Sequence, residues 1–226
     1  MIPLRDKNPS GTVPLVTLAI IAGCTVAFLY ELSAPSLERL FASYALIPAR
    51  VTLGLENGAG PLGPLGAITP FLTSMFLHGG WLHLIGNMWY LWIFGDNVED
   101  TLGPVRYLLF YFLCGIAAGA THVLVSPGST VPTVGASGAI AGVLAGYASL
   151  FPRARIVTLI PIVFYFSIVE LPAVALLVIW FVLQGLSGFL SLGVPGAGGV
   201  AWGAHVGGFL AGLVLVRILK PRKVMA

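Results

Sequence analysis

A small set of polar residues in this sequence could carry out acyl-transfer chemistry. It consists of one serine, Ser137, and three hydrogen-bonding side chains, His83, Asn87 and His205. A serine hydroxyl is a weak nucleophile until a neighbouring base removes its proton, and a neutral imidazole is a suitable base. His83 and Asn87 are four residues apart, so on a helix they share one face and could donate hydrogen bonds to a developing oxyanion.

The sequence offers no acidic residue that could be the third member of a catalytic triad at the depth of these residues. Asp96, Glu99 and Asp100 lie at the inner end of the predicted helix that carries His83, but His83 and Asp96 are 13 residues apart. That separation is ~20 Å along a helix. We therefore predict a Ser/His dyad. Ser137 lies near the start of its own predicted helix, where unpaired backbone N–H groups would add to the stabilisation of an oxyanion.

The composition indicates that these residues belong to a membrane protein. Of the 226 residues, 58% are hydrophobic and 8% are charged, and the mean hydropathy is +0.98. Soluble domains carry roughly 25% charged residues, so a water-soluble fold is excluded. Three long stretches contain no charged residue at all: 57–95, 107–152 and 171–216. Each can hold one or two bilayer-spanning helices of ~20 residues.

Hydropathy, with glycine, proline and charged residues as boundaries, predicts one all-α polytopic membrane domain over residues 1–226. Its six transmembrane helices are expected near 13–32, 81–97, 104–126, 135–151, 171–190 and 201–219. The long loop 33–80 is expected to rest partly in the membrane interface. Residues 156–169 are apolar but number only 14, and they are predicted to form an interfacial or re-entrant piece on the cytoplasmic side.

The distribution of basic residues predicts the orientation. With six spans, both termini share one side of the membrane, which collects nine of the 11 Lys and Arg residues; only Arg39 and Arg50 fall opposite. Such an excess is typical of a cytoplasmic face, so both termini are predicted to be cytoplasmic, in a bacterial plasma membrane. The net charge of +3 forms no basic stripe, so no nucleic-acid partner is expected.

This topology predicts that the polar residues lie at one depth. The second, fourth and sixth helices start at the outer face, and each has its polar group within about two turns, or about 3–9 Å, of that start. A single such residue more often satisfies one interhelical hydrogen bond. Their shared depth instead favours a functional site, because polar groups inside a membrane are costly.

Glycines are spaced to let the fourth and sixth helices approach closely. They recur every fourth residue from Gly138 to Gly146, and the sixth helix repeats the spacing from Gly203 to Gly207 and from Gly208 to Gly212. Small residues at this spacing most often serve packing alone. Here close packing would also bring Ser137 to His205. The packing glycines expected nearest the site are Gly138, Gly142, Gly207 and Gly208.

Four motifs in order resemble the rhomboid family of intramembrane serine proteases. They are His83-x-x-x-Asn87, Glu99-x-x-x-Gly103, Gly135-x-Ser137-Gly138 and Ala204-His205-x-Gly207-Gly208. The resemblance implies that Ser137 is the nucleophile and that His205 is the general base and acid. It implies oxyanion stabilisation by His83, Asn87, Gly135 and Ser137. It also implies a substrate that is the transmembrane segment of another protein, with no metal or cofactor, and access controlled by the fifth helix.

The sequence departs from the family at two places. The long loop lacks the Trp-Arg pair of some members. Four positions after the serine, where some members have an aromatic residue on which the catalytic histidine stacks, this chain has Ala141. The ring of His205 is therefore expected to lack that support.

Other functions stay open at this point. A catalytically silent rhomboid-like binder of membrane helices, or a small transporter, would use the same polar layer for recognition or passage. A metalloprotease is a weaker alternative because the HExxH motif is absent. The oligomeric state is not predicted.

Overall fold

The computed structural model describes residues 1–57, 64–162, 165–191 and 202–221. Within these ranges, the N-terminal part holds β1 (Ile2–Asp6), α1 (Leu15–Ser33), α2 (Leu37–Tyr44), α3 (Pro48–Asn57), α4 (Pro64–Ile68) and α5 (Pro70–Thr73). The remainder holds α6 (Trp81–Leu102), α7 (Pro104–Val125), α8 (Ser137–Leu150), β2 (Arg155–Ile162), β3 (Tyr165–Pro172), α9 (Ala173–Ser191) and α10 (Trp202–Leu219). The glycine- and proline-rich run 58–63 and two of the basic residues that predict the orientation, Arg222 and Lys223, lie outside the described residues.

The six long helices occur where the sequence predicts them, with ends that differ by up to five residues. Three of those in the described ranges are long and apolar enough to cross a membrane: α1, α7 and α10. The six-span count is not confirmed, and two of the other three helices, α6 and α8, show a physical reason. The last two turns of α6 carry Asp96, Glu99 and Asp100, and α8 has 14 residues, ~21 Å of helix against a hydrocarbon core of ~30 Å.

The fold is mostly helical, as predicted, but it is not all-α, because β1, β2 and β3 form an antiparallel sheet in that order. Ile156 pairs with Asp6 and with Leu171, so residues 156–162 and 165–169 of the apolar segment lie in two paired strands. Its β-branched residues favour strands, and Pro161 would interrupt a helix. Pro161 lies beyond Leu159, the last residue of β2 that pairs with β1, so its missing N–H costs no ladder hydrogen bond there.

The start of α1 is fixed by a buried acid from α6. Glu99 is 3% exposed, and its carboxylate accepts the backbone N–H groups of Val16 (2.9 Å) and Thr17 (2.8 Å) and the Thr17 hydroxyl (2.8 Å). The first N–H groups of a helix have no partner within the helix, and negative charge is favoured at that end. Glu99 therefore attaches the N-terminus of α1 to the C-terminal end of α6.

The core is centred on α8, in which every residue from Gly138 to Tyr147 is buried. Helices α6, α7 and α10 pack around it. The approach to α10 is so close that a side-chain carbon built on Gly208 would overlap the carbonyl oxygen of Gly138. One built on Gly142 would lie 3.0 Å from the Gly208 carbonyl oxygen. The stripe on α8 thus lies against Gly208 and Gly212 of α10, whereas Gly207, predicted to pack there too, faces Thr121 of α7.

The loop between α1 and α6 supports the segment that leads into α8. Leu46 and Thr133 exchange two backbone hydrogen bonds, of 3.0 and 2.8 Å. The N–H of Gly135 donates to the carbonyl oxygen of Ser74 at 2.9 Å. These contacts determine where the first residue of α8, Ser137, lies.

Candidate active site

Ser137 and His205 are hydrogen-bonded to each other. The Ser137 Oγ and the His205 Nε2 are 2.8 Å apart, which is the separation of a well-formed hydrogen bond. Ser137 begins α8, and His205 lies in the first turn of α10, where it is 6% exposed. The two residues are 68 positions apart in the chain, so only the packing of α8 against α10 brings them together.

Small residues beside the site allow α7 to pack closely on both α8 and α10. A side-chain carbon on Gly138 would lie 2.5 Å from the Cβ of Ala118 on α7 and 3.8 Å from the carbonyl oxygen of Ala204. Gly138 and Ala204 are the immediate neighbours of Ser137 and His205. On α10, a side chain on Gly207 would overlap Thr121 of α7. Larger residues at 138 and 207 would therefore push α7 away from α8 and α10, the helices that carry the hydroxyl and the imidazole.

The turn before Ser137 places it beside His83 and Asn87. Gly135 has a φ of +121°, a backbone conformation that favours glycine. A side-chain carbon on Gly135 would lie 2.7 Å from the Nε2 of His83 and 3.5 Å from the Nδ2 of Asn87. Glycine is therefore required at 135 both for the turn and for the close approach of these two side chains from α6.

The hydrogen bond made by His83 determines which of its nitrogens can donate. The backbone N–H of Gly79 donates to the Nδ1 of His83 at 3.3 Å. A neutral imidazole that accepts at Nδ1 carries its proton on Nε2, the nitrogen beside Gly135. Asn87 is 8% exposed, and its Nδ2 has no hydrogen-bond partner within the described part of the chain. Two side-chain N–H donors thus lie next to the backbone that leads into Ser137.

Ser137, His205, His83 and Asn87 all line one cavity of about 640 Å³. Ligand sites in proteins commonly have volumes of ~300–1,000 Å³. Small residues form much of its wall: Gly86, Gly115, Ala118, Gly119, Gly138 and Ala204. The cavity therefore has room next to the Ser137 hydroxyl for a chain of several atoms.

Among the described residues, no carboxylate bonds to His205, whose Nδ1 is buried without a hydrogen-bond partner. Two acids of α6 make hydrogen bonds elsewhere. Glu99 accepts hydrogen bonds from the start of α1, and Asp100 accepts them from Gly11 and Thr12. Groups of three His, Cys, Asp or Glu residues able to hold a metal are absent from the described ranges.

Sequence reasoning missed two neighbours of this site. The indole ring of Trp180, on α9, packs near the imidazole of His205, with 5.8 Å between the ring centroids. The buried carboxylate of Glu31, near the end of α1, accepts the backbone N–H of His78 at 3.0 Å, and the rings of His78 and His83 are 5.2 Å apart. No spacing signal in the chain predicts either contact, because each joins residues of separate elements.

A family model, the Rhomboid domain, matches residues 66–222, which is more than half of the 226-residue chain. The chain belongs to the rhomboid family. The match covers α6 to α10 and with them every residue of the site described above. The family assignment predicted from the four motifs is therefore confirmed.

Several curated relatives share the rhomboid name. The chain is similar to Rhomboid-like protein 11, chloroplastic, of Arabidopsis thaliana, with 41% identity over 75 residues, 33% of this chain and 26% of that protein. It is also similar to the Presenilin-associated rhomboid-like protein, mitochondrial, of Mus musculus, with 32% identity over 101 residues, 44% of this chain and 27% of that protein. A third relative is RHOMBOID-like protein 5 of Arabidopsis thaliana, with 30% identity over 153 residues, 67% of this chain and 44% of that protein. The chain thus matches less than half the length of each.

Membership of the rhomboid family and the apolar helices identify an integral membrane protein, of a family that acts on membrane proteins in the bilayer. Two of these relatives are named as chloroplastic or mitochondrial, so they give no support to the predicted bacterial plasma membrane. The cytoplasmic placement of both termini, and the extent of the single domain over 1–226, stay predictions.

Proposed function

We propose that this chain is an intramembrane serine endopeptidase that hydrolyses a peptide bond in or near the transmembrane segment of membrane-protein substrates. The observation that carries the proposal is the 2.8 Å contact between the Ser137 Oγ and the His205 Nε2, in a cavity that His83 and Asn87 also line. A nucleophile within hydrogen-bond reach of its base is the geometry that covalent catalysis needs. Rhomboid membership supports the reaction class.

In the acylation step, the Ser137 Oγ attacks the carbonyl carbon of the scissile peptide bond while the Nε2 of His205 takes the hydroxyl proton. The carbonyl oxygen becomes the oxyanion of a tetrahedral intermediate. When the intermediate collapses, the C–N bond breaks and His205 gives its proton to the departing amine. The new amino terminus leaves, and the acyl group remains as an ester on Ser137.

In the deacylation step, a water molecule takes the place of the amine. His205 removes one proton from it, and the resulting hydroxide attacks the ester carbonyl carbon. Collapse of the second intermediate breaks the bond to the Ser137 Oγ, which receives the proton back from His205. A carboxylic acid is released and the hydroxyl is regenerated, so one water is consumed for each peptide bond.

The oxyanion would be stabilised by donors from α6 and from the start of α8. The Nε2–H of His83 and the Nδ2 of Asn87 both lie beside Gly135, two residues before the nucleophile. The backbone N–H of Ser137 is among the first N–H groups of α8, which have no partner within the helix. Donors that are already in place need no reorganisation as charge develops, and such fixed donors account for much of the rate enhancement in many acyl transfers.

The dyad proposal requires that His205 act without a carboxylate. The imidazole becomes positively charged when it takes the serine proton, and in triads an acid stabilises that charge. In this chain the Nδ1 of His205 has no acidic partner among the described residues. The negative charge of the tetrahedral intermediate forms close to the imidazolium and would itself offset its charge.

The substrate class follows from the surroundings of the site and from the family. The cavity lies at the beginning of α8, beside helices whose outer surfaces expose apolar side chains such as Ile85, Leu82 and Leu210. A peptide bond within an intact helix has its carbonyl oxygen occupied and its carbonyl carbon shielded by side chains. We therefore expect cleavage where the substrate helix is locally unwound.

The test uses a fluorophosphonate probe on the purified chain in detergent. A nucleophilic serine attacks the phosphorus, a P–O bond forms, the P–F bond breaks and fluoride leaves, while the base takes the serine proton. We expect wild type to be labelled, Ser137→Ala to be unlabelled, and His205→Ala to be labelled far more slowly. Labelling of Ser137→Ala at the wild-type rate would contradict the proposal.

A second experiment tests the reaction itself and separates it from metal-dependent hydrolysis. The chain is placed in liposomes with a reporter protein whose single transmembrane segment carries small, helix-destabilising residues near one end. We expect cleavage that persists in EDTA and is lost in Ser137→Ala. Loss of cleavage in EDTA, or equal cleavage by the variant, would rule out the serine mechanism.

A further inference from the structure

Among the residues that the structure describes, the imidazole of His205 finds a hydrogen-bond partner at one of its two nitrogens. Its Nε2 contacts Ser137, whereas Nδ1 is buried and has no partner within the described ranges. In a Ser/His/Asp triad, a carboxylate at the second nitrogen holds the ring in the orientation that catalysis needs. In this chain a different contact must prevent the ring from turning its Nε2 away from the hydroxyl.

Within the described residues, the one aromatic ring that packs on His205 is that of Trp180. The centroids of the two rings are 5.8 Å apart, and the ring planes are inclined by 39°. Interacting aromatic rings have centroids ~4.5–7 Å apart. Ala141, the residue one turn after Ser137, is fully buried but has no ring to offer. The indole is itself braced by Tyr90 of α6, with centroids 6.3 Å apart.

We propose that Trp180 is a positioning residue that holds the His205 imidazole in the orientation that accepts the Ser137 proton. The inference rests on the proposed serine-protease function. The indole acts in two ways. Its packing against the ring limits rotation of the imidazole, and its π face attracts the imidazolium that forms when the proton is transferred, since ring and cation are within ~6 Å. The contact expected to be missing at Ala141 is thus supplied from α9.

A variant at Trp180 also loosens α9 from α10, so the test needs a control for packing. The next residue, Phe181, provides it. Its ring contacts that of Phe209 on α10, with centroids 4.8 Å apart and the same 39° inclination. Phe181→Leu therefore removes an aromatic contact between the same two helices without touching the imidazole.

The experiment compares Trp180→Leu, Trp180→Phe and Phe181→Leu with wild type as purified full-length chains in detergent. The readouts are the rate of fluorophosphonate labelling and the kcat and KM for 4-methylumbelliferyl acetate, a small ester that does not depend on docking a substrate helix. Thermal unfolding is measured on every variant.

We expect Trp180→Leu to lower the labelling rate and kcat by about 10- to 100-fold with little change in KM, because small misplacements of catalytic groups have effects of that size. Trp180→Phe keeps a ring and should stay within about threefold of wild type. Phe181→Leu should also stay within about threefold, with a melting temperature as low as that of Trp180→Leu.

Two results would overturn the positioning role: equal loss of kcat in Trp180→Leu and Phe181→Leu, or a Trp180→Phe variant as slow as Trp180→Leu. If Trp180→Leu does not fold, Trp180→Met replaces it as the variant without a ring and is compared with Trp180→Phe. Failure of the proposed function looks different, because wild type would then be unlabelled or Ser137→Ala labelled. A labelled wild type with an equally fast Trp180→Leu contradicts only the role of Trp180.

Discussion

The carbonyl oxygen of Gly138 occupies the space that a side chain at Gly208 would need. Gly138 follows Ser137 on α8, and Gly208 lies one turn after His205 on α10. The hydrogen bond between the hydroxyl and the imidazole therefore depends on two helices whose backbones touch. Stability and the geometry of the candidate site are set by the same contact.

The first prediction concerns this contact. Gly208→Ala should lower the free energy of unfolding by about 1–3 kcal/mol, because the added methyl forces α10 away from α8. The same movement should abolish fluorophosphonate labelling of Ser137. Gly203→Ala on the same helix is the control, since its new carbon would meet Val125 at an ordinary 3.7 Å. Unfolding and fluorophosphonate labelling are measured in detergent for both variants. Equal stability and equal labelling rates in the two would show that the backbone contact at Gly208 does not set the geometry of the site.

The second prediction concerns Asn87 as an oxyanion donor. Asn87→Ala should lower kcat by about 10²–10³ with little change in KM, because the donor acts on charge that exists only in the transition state. Ile85→Ala, on the exposed surface of the same helix, should leave kcat unchanged. Cleavage of the liposome reporter over a range of substrate concentrations separates the two constants. A change confined to KM would assign Asn87 to substrate binding instead.

The third prediction concerns the buried acid that attaches α1 to α6. Glu99→Ala should cost about 2–3 kcal/mol of stability, because it leaves the first N–H groups of α1 without their charged acceptor. The neighbouring acid, Asp100, is exposed and bonds to Gly11 and Thr12, so Asp100→Ala should cost only about 0.5–1 kcal/mol. Thermal unfolding in detergent compares them. Similar melting temperatures for the two variants would mean that burial adds nothing to the contact.

The fourth prediction concerns pH and the N-terminal strand. The half-buried Asp6 carboxylate accepts the Tyr147 hydroxyl at 2.7 Å, yet desolvation raises the pKa of Asp6 above its usual 3.8, with a smaller contribution from Asp96. A raised carboxyl pKa in the folded state means that folding favours the protonated form. Stability from this group is therefore present at low pH and is lost as pH rises through the folded-state pKa.

Asp6→Asn has no carboxyl group to titrate at this position, so it tests the sign of the pH dependence directly. Between about pH 4 and pH 7, the melting temperature of wild type should fall relative to that of Asp6→Asn. Asp100→Asn serves as the control, because it removes an exposed acid at the same end of α6. A wild type that gains stability relative to Asp6→Asn over this range would show that the Tyr147 hydrogen bond outweighs desolvation.

The long helices could be predicted because each is a run of apolar residues bounded by charge, glycine or proline, a property of contiguous sequence. The sheet could not. Strand β1 pairs with a segment about 150 residues later, and the apolar run 156–169 satisfies the hydropathy pattern of a membrane segment as well as that of a buried strand. Tertiary contacts bring β1 to that segment, among them those of Asp6 with Tyr147 and Asn97 and that of Pro3 with Trp89.

The residues of the candidate site were recognisable in the chain because chemistry restricts which side chains can take a proton or donate to an oxyanion, and because short motifs preserve their spacing. Their relationships were decided by tertiary structure. The proton on the Nε2 of His83 follows from a hydrogen bond with Gly79, and the support of His205 comes from Trp180 on another helix. Sequence determines which groups are available, whereas the distances between them arise only when separate helices pack, since hydrogen bonds and ring contacts act over a few ångströms in space and not along the chain.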